Sequence, residues 1–351
     1  MSSPKNIVVL GASFGGLGVA HYVAKHILPK LLASNDNYTL HIVAPSTHFW
    51  WNIAAPRELV SVEEMKHGDC FVPITDGFKQ YPQLGESIVF HHASATALDP
   101  EKRSVSIALH EGGTQALSYH ALVIATGVRS PTPVTTLQGD HTISQRALEQ
   151  MNVQLASAKS IVISGGGPVG VETAGEIGSH YPDAKITLYA GSKKLLPVLR
   201  EKLAIKAQNM LHDVGVDVVY GIKISRSEQT AGGKTRLTLS DGSTVDADVY
   251  IPAHGVTPNT GFLPEKLKGD NGYVTTNAST LRIDAAGPLV YSAGDVSGVD
   301  NGGVMNLYNS IPVLGANLAY DLFKTAGLPV GAERNYHAKV AEIQVVPIGA
   351  K

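Results

Sequence analysis

The amino-acid sequence predicts an α/β protein with two nested Rossmann-like dinucleotide-binding domains and a short C-terminal α/β segment. Apolar runs at residues 7–10 and 161–163 each end at a glycine-rich turn, and a helix-forming segment follows each turn. A buried parallel strand that breaks at glycines and continues as a helix is the phosphate-binding unit of such domains. The length of 351 residues is enough for about two domains, each with its own core.

The first turn reads Gly11-Ala12-Ser13-Phe14-Gly15-Gly16 and opens a helix expected over residues 17–32. The N-terminus of that helix would face a pyrophosphate. Serine in the middle glycine position is small, and its hydroxyl can donate to a phosphate oxygen. The sequence therefore predicts cofactor-binding residues at Gly11, Ser13, Phe14, Gly15 and Gly16.

The second turn fills all three glycine positions of G-x-G-x-x-G with Gly165, Gly167 and Gly170. These glycines allow, in order, a tight turn, close approach of a pyrophosphate to the backbone, and close packing of helix on strand. Pro168 suits a first helical turn, where its missing N–H is not needed. One such pattern is weak evidence for a dinucleotide, but here it occurs twice.

Two features follow the strand predicted at residues 38–43. The acid that would bind an adenosine ribose is absent, and residues 44–46 leave Ser46 or backbone to make that contact. The loop at residues 48–57 then holds both tryptophans and Arg57. It either covers the surface with apolar side chains beside a solvated arginine or faces a flavin. We favour the second interpretation, which makes Arg57 a candidate cofactor-binding residue.

The remaining elements follow the same pattern of strands, turns and helices. Short strands are expected near 87–90, 105–109 and 117–118, with a hairpin at 111–113, and a strand at 119–125 ends at Thr126-Gly127. A linker and polar helix at 134–155 mark a domain boundary. Further strands are expected at 185–190, 216–224, 235–240, 249–251 and 289–291, with a hairpin at 241–242 and helices at 199–212 and 311–325.

Composition excludes several classes of function. A net charge of −2 and the lack of a dense Lys/Arg run argue against nucleic-acid binding. Cys70 is the only cysteine, so an internal disulfide or C-x-x-C relay is not expected. No metal site is predicted. The sequence shows no signal-peptide core and no apolar run of membrane-spanning length, which predicts a cytoplasmic protein.

Motifs that carry a family resemblance follow one another along nearly the whole chain. They are the turns at 11–16 and 165–170, Ala125-Thr126-Gly127, residues 255–260 and Gly294-Asp295. In this order they resemble the two-dinucleotide-binding-domain flavoprotein oxidoreductases. Residues 49–57, 170–176 and 258–260 resemble the apoptosis-inducing-factor-like branch of that group, in particular the ferroptosis-suppressor type of quinone reductase.

The resemblance implies a role for each motif. It implies FAD at the first turn, with Thr126 and Gly127 near it and Asp295 accepting a hydrogen bond from the ribitol chain. Asp295 could also cap the segment that follows, and Thr126 could simply end a strand. The implied domains are 1–135 and 259–330 for FAD, 136–258 for NAD(P)H, and a C-terminal segment at 331–351.

Glu172 is the candidate catalytic residue. It lies near the N-terminal end of the helix after Gly170, where the dipole favours a carboxylate that can project toward a nicotinamide. The resemblance implies that Glu172 holds the carboxamide or tunes the gap between nicotinamide and flavin. The alternative is an acid that only stabilises the helix end.

Together these motifs predict an FAD-dependent enzyme that takes a hydride from NADH or NADPH and passes electrons to a quinone or another small acceptor. The alternatives are a low-turnover NAD(P)H-sensing flavoprotein and a tailoring oxidase of secondary metabolism. Ala190 stands where an acid would repel a 2′-phosphate, and Ser192, Lys193 and Lys194 could meet that phosphate or stay solvated. The resemblance also allows peripheral membrane contact, and no motif indicates an oligomeric state.

Overall fold

The computed structural model describes residues 5–34, 37–338 and 343–349. Its strands are β1 (Lys5–Leu10), β2 (Tyr38–Ala44), β3 (His48–Trp50), β4 (Phe71–Pro73), β5 (Ile88–Asp99), β6 (Ser104–Leu109), β7 (Thr114–Ser118), β8 (Ala121–Ile124), β9 (Val128–Arg129), β10 (Ser160–Ser164), β11 (Lys185–Ala190), β12 (Val216–Tyr220), β13 (Ile224–Gln229), β14 (Thr235–Leu239), β15 (Thr244–Ala247), β16 (Val249–Pro252), β17 (Thr257–Pro258) and β18 (Val290–Ser292). Its helices are α1 (Phe14–Tyr22), α2 (Leu28–Ala33), α3 (Ala55–Val60), α4 (His67–Cys70), α5 (Ile74–Phe78), α6 (His141–Ser157), α7 (Pro168–His180), α8 (Glu201–Asp213) and α9 (Val304–Thr325).

The described chain forms two compact units, each made of separate stretches of sequence. The first unit takes residues up to 49, then 72–128 and 257–338, and the second takes 50–71, 129–256 and 343–349. The second unit therefore includes the tryptophan- and arginine-containing loop after Phe49 as well as the end of the chain. Which cofactor each unit holds remains a prediction.

The first unit is built on a seven-stranded sheet in the order β18-β8-β1-β2-β5-β6-β7. The pairs from β18 to β5 are parallel, and β5-β6-β7 form an antiparallel meander. One sheet face packs against α1, α2 and α9 through fully buried residues such as Ile7, Leu40 and Leu318. The expected hairpin at 111–113 is confirmed, because Gly112 and Gly113 both adopt positive φ there.

The second unit is built on a four-stranded parallel sheet in the order β12-β11-β10-β16. Its central strand β10 is almost entirely buried, as expected for a parallel strand with both faces covered. Residues of α7 and α8, such as Val171, Ile177 and Leu211, join its core. A separate antiparallel sheet, β13-β14-β15, contains the expected turn at Gly242. These two sheets confirm the predicted α/β class.

Three elements differ from expectation for local reasons. The first helix is interrupted by a π turn at Val23–Ile27 just before Pro29, which lacks the N–H needed to continue the ladder. The strand expected at 216–224 divides into β12 and β13 because Gly221 turns the chain at positive φ. Residues 329–338 and 343–349 are irregular rather than helix or strand.

Candidate functional site

The first turn has backbone geometry that only glycine fits. Gly11 adopts φ 101°, and a Cβ atom there would lie 2.2 Å from the carbonyl oxygen of Ala125 at the end of β8. A Cβ on Gly16 would lie 1.9 Å from the carbonyl oxygen of Gly11. The turn and the start of α1 are therefore packed directly on the C-terminal edge of the sheet, where nucleotide phosphates bind in such folds.

The second turn repeats this geometry in the other unit. Gly165 adopts φ 131°, and its Cβ would lie 2.2 Å from the carbonyl oxygen of Ala253 after β16. A Cβ on Gly170 would lie 1.9 Å from the carbonyl oxygen of Gly165. At the middle position, Gly167, a Cβ would meet nothing within 4 Å. Gly167 precedes the first residue of α7, so this open space lies at the helix N-terminus and fits a phosphate group.

Ser13 and its neighbours place the first turn beside the Gly294-Asp295 motif. Ser13 is exposed and precedes α1, and its side chain does not cap that helix. Phe14 packs edge-on against Phe49 with ring centroids 4.9 Å apart. A Cβ on Gly15 would come 3.4 Å from the Cα of Gly294. The structure therefore brings two sequence-distant parts of the predicted FAD site together.

Asp295 is a solvent-exposed carboxylate whose pKa is nevertheless raised, mainly because the surrounding protein displaces water. Asp295 lines a recess together with residues such as Gly302 and Asn306, which accounts for both observations. The backbone N–H of Gly303 donates to Asp295 Oδ1 over 2.9 Å, just before α9 begins. This bond is to the residue that precedes α9 and not to an N–H of its first turn, so it is not a helix cap. The contact of Asp295 with the ribitol chain stays a prediction, and Oδ2 leaves room for a second donor.

Thr126 and Gly127 are joined to Asn259. The Thr126 hydroxyl donates to the carbonyl of Asn259 over 2.8 Å, and the Asn259 side-chain amide donates back to the carbonyl of Thr126 over 2.9 Å. The backbone N–H of Asn259 also donates to the carbonyl of Gly127. This clamp fixes the end of the loop after β8. A direct cofactor contact by Thr126 stays a prediction.

Glu172 is the fifth residue of α7 and is half-buried. Burial, together with the charge of Glu176 one helical turn later, raises the pKa of Glu172 to about 7. In the described part of the chain, no group donates a hydrogen bond to this carboxyl. A carboxyl that is accessible, unsatisfied and poised near neutral pH is typical of functional sites.

Arg57 contacts Glu176. Its Nη2 and Nε atoms donate to Glu176 Oε1 over 2.8 and 3.2 Å, and Nη2 also approaches the carbonyl of Gly349 at 3.4 Å. The Glu176 side chain is 4% exposed, whereas that of Arg57 is 42% exposed. The described contacts of this arginine are therefore with a buried carboxylate, and its predicted contact with a cofactor remains untested.

The segment after β11 contains Ser192, Lys193 and Lys194, the side chains predicted to meet a 2′-phosphate. Ser192 Oγ donates to the carbonyl of Lys194 over 2.6 Å, and Lys194 Nζ donates to the carbonyl of Leu199. Lys193 is exposed. Of the three side chains predicted to meet a 2′-phosphate, two thus take part in local hydrogen bonds and Lys193 is the one presented to water.

Two residues of interest escaped the sequence argument, Glu176 and His254. Glu176 lies on the same face of α7 as Glu172, and the four-residue spacing on a helix was the available signal. His254 follows Ala253 as Thr126 follows Ala125, so the repeat of the two turns could have identified it. Within residues 5–34, 37–338 and 343–349 there is no group of three metal-ligating side chains, and no helix is long and apolar enough to cross a membrane.

The two glycine turns have the same geometry, because each packs against the carbonyl of an alanine that follows a neighbouring strand. Such a pair of turns is typical of a protein with two dinucleotide-binding units. The chain belongs to the pyridine nucleotide-disulphide oxidoreductase family, whose model matches residues 5–312. Members of this family are oxidoreductases that bind FAD and NAD(P)H.

Individual relatives agree with this family. The chain is 35% identical to Oxidoreductase phnG from Penicillium herquei, over 99% of this chain and 88% of that protein. It is 28% identical to ferroptosis suppressor protein 1 from Mus musculus, over 83% of this chain and 73% of that protein. The sulfide:quinone oxidoreductase structure from Aquifex aeolicus superposes with a TM-score of 0.72 at 15% identity, over 91% of this chain and 77% of that one, and shows the shared fold.

Proposed function

We propose that this protein is an FAD-dependent enzyme that takes a hydride from NAD(P)H and passes electrons to a quinone or another small acceptor. The observation that carries the proposal is the turn geometry, which occurs twice. A Cβ atom added at Gly11 or at Gly165 would lie 2.2 Å from the carbonyl oxygen of an alanine, so each turn requires glycine. The family binds two nucleotide cofactors, and each turn would bind the pyrophosphate of one of them.

The residues of the first unit suit FAD. The first turn and the N-terminus of α1 would hold its pyrophosphate, and the exposed Ser13 hydroxyl would donate to a phosphate oxygen. Asp295 would accept a hydrogen bond from the ribitol chain. The bound flavin would supply the electron transfer, while these side chains supply position and charge.

The residues of the second unit suit a nicotinamide nucleotide. The open space at Gly167 and the N-terminus of α7 would receive the pyrophosphate. Glu172, one turn into that helix, would hydrogen-bond the carboxamide. Because its pKa is raised to about 7, its carboxyl carries a proton to donate below that pH and can only accept above it.

The state of Cys70 supports a small acceptor rather than a dithiol. It is the only cysteine of the sequence and is buried. Burial first, and then the neighbouring Glu58 and Asp69, raise the pKa of its thiol to about 12. A buried, protonated thiol with no second cysteine in the sequence is a poor redox relay. Electrons on the flavin would therefore pass directly to the acceptor. The resemblance of residues 49–57, 170–176 and 258–260 to the ferroptosis-suppressor type of quinone reductase supports a quinone in that role.

A tailoring oxidase of a small metabolite is the second candidate. It is supported by a higher identity to the fungal Oxidoreductase phnG, 35%, than to the mouse ferroptosis suppressor, 28%. Such an enzyme would show flavin reduction by its substrate without nicotinamide. A sensing flavoprotein would instead stay reduced for minutes in the presence of acceptors.

Anaerobic stopped-flow absorbance separates these functions. We expect the purified protein to show a flavin spectrum, bleach on mixing with NADH or NADPH, and recover on mixing with a short-chain quinone. The rate of recovery should depend on quinone concentration. A protein that purifies without flavin, or whose flavin neither nucleotide reduces, contradicts the proposal.

A further inference from the structure

His254 is the exposed end of a short chain of hydrogen bonds in the second unit. The hydroxyl of Tyr250 on β16 lies 2.8 Å from Ser164 Oγ, the last residue of β10. Ser164 Oγ in turn lies 2.7 Å from His254 Nδ1, and the carbonyl of Ser164 is farther, at 3.2 Å. Ser164 is 3% exposed, whereas His254 is solvent-exposed.

The position of His254 places this chain at the second glycine turn. The Cβ of a residue replacing Gly165 would lie 3.2 Å from the backbone nitrogen of His254. In the first turn, the matching distance from Gly11 to the nitrogen of Thr126 is 3.1 Å. His254 is therefore the counterpart of Thr126, at the strand ends where dinucleotides bind in this fold.

The hydrogen-bond pattern determines which ring atom is available. His254 Nδ1 lies within hydrogen-bond distance of both the hydroxyl and the carbonyl oxygen of Ser164. Because a carbonyl oxygen can only accept, Nδ1 carries the ring N–H, and the hydroxyl hydrogen of Ser164 is left for Tyr250. Nε2 then presents a lone pair to solvent, and the buried partners of Nδ1 limit rotation of the ring.

We propose that His254 is a ligand-contacting residue of the nicotinamide-nucleotide site, whose Nε2 accepts a hydrogen bond from a ribose hydroxyl of NAD(P)H. Ser164 acts as a positioning residue that holds the ring. This inference rests on the proposed function, since it requires the second unit to bind a nicotinamide nucleotide. It adds a side-chain acceptor to the backbone N–H donors of the glycine turn.

Binding of NAD⁺ to the FAD-loaded full chain, measured by titration calorimetry, tests the contact without turnover. His254→Ala should weaken the Kd about tenfold, the loss expected for one such hydrogen bond. His254→Gln places an amide near the former Nε2 and should keep most of the affinity, whereas His254→Asn places it near Nδ1 and should not. His212→Ala, an exposed histidine at the end of α8, is the matched control and should bind like the wild type.

Chemical modification gives a second readout. Diethyl pyrocarbonate should acylate His254 at Nε2, and saturating NAD⁺ should slow that reaction several-fold, as followed by peptide mass spectrometry, while His212 reacts at an unchanged rate. Ser164→Ala should weaken NAD⁺ binding by less than His254→Ala and speed modification of His254, with an unchanged Tm if its role is only to orient the ring.

The possible failures are distinct. An unchanged Kd in His254→Ala, equal affinities in the Gln and Asn variants, or modification that NAD⁺ does not slow each overturns the contact while leaving the proposed function in place. A wild-type protein that binds neither NAD⁺ nor NADP⁺ overturns the proposed function itself, and the contact with it.

Discussion

Glu172 and Glu176 lie one turn apart on α7, and Glu176 is the member of the pair that binds Arg57. Burial first, and then the charge of Glu176, raise the pKa of Glu172 to about 7. The other titratable side chains described around Glu176 are His180, whose Nδ1 lies 4.0 Å from Glu176 Oε2, and Glu64, whose Oε2 lies 3.4 Å from His180 Nε2. An ion pair one helical turn away thus influences the candidate catalytic carboxyl.

Glu176→Gln should lower the pH midpoint of flavin reduction by NADH. Removing the charge one turn away lowers the pKa of Glu172 by on the order of one unit, because less repulsion opposes its ionisation. Stopped-flow reduction rates between pH 5 and pH 9 would show the shift. Arg57 is 42% exposed and so tolerates the neutral partner, and Glu176→Asp should keep the wild-type profile because it keeps the charge. An identical midpoint in Glu176→Gln would show that the two carboxyls are not coupled.

Glu172→Ala should slow flavin reduction by about tenfold to a hundredfold while FAD remains bound. The reason is that Glu172 lies on the helix of the second turn, not on the elements predicted to hold FAD. Single-turnover reduction with NADH and the flavin-to-protein absorbance ratio measure the two effects. Unchanged reduction would leave Glu172 as an acid that only stabilises the helix.

The raised pKa of Glu172 also predicts a dependence of stability on pH. Between pH 4.5 and about 7 the folded carboxyl holds a proton that the unfolded chain has lost, so this group reduces stability as pH rises through that range. Glu172→Gln should remove this contribution and therefore raise Tm at pH 8 more than at pH 4.5. A Tm difference that is the same at both pH values would contradict the assignment.

Gly11→Ala should lower the free energy of unfolding and the amount of bound flavin far more than Gly112→Ala does. Both glycines have φ near 100°, but a Cβ on Gly11 would lie 2.2 Å from the carbonyl of Ala125, whereas one on Gly112 would meet nothing within 4 Å. Backbone strain alone should cost about 1–3 kcal/mol at either position, and overpacking should add about 1–3 kcal/mol at Gly11. Denaturant unfolding and the flavin absorbance of the purified variants test the contrast.

Gly11→Val should go further and abolish flavin retention. If a fully yellow protein were recovered with valine at Gly11, the first turn would not be the FAD site. Gly112→Ala, with matched φ and open space, controls for the backbone effect in that comparison as well.

The sequence predicts most of the fold because its strongest signals are local. Each glycine turn packs tightly against its neighbouring strands, and the spacing of its glycines, Gly11 and Gly16 or Gly165 and Gly170, predicts that packing. Contacts between residues far apart in the sequence leave no such local pattern. The partner of Arg57 is 119 residues away, and the donor to Asp295 is a backbone N–H, which no side-chain pattern reveals. For His254 the one signal in the sequence is its position after Ala253, which matches that of Thr126 after Ala125, because a single histidine in a loop has no periodicity of its own.

The choice between NADH and NADPH should depend on Lys193. No acid follows β11 at Ala190 to repel a 2′-phosphate, and Lys193 is exposed, whereas Lys194 donates to the carbonyl of Leu199. We therefore expect both nucleotides to be used, with NADPH at least competitive and its advantage falling as salt screens the contact. Lys193→Ala should lower kcat/KM for NADPH several-fold, whereas kcat/KM for NADH should stay nearly unchanged. Lys194→Ala should affect both nucleotides alike, since it removes the contact with Leu199 that holds the loop predicted to meet the adenosine end. Measuring kcat/KM for each nucleotide at low and high ionic strength decides the matter, and a strong NADH preference that Lys193→Ala does not alter would show that this lysine remains solvated.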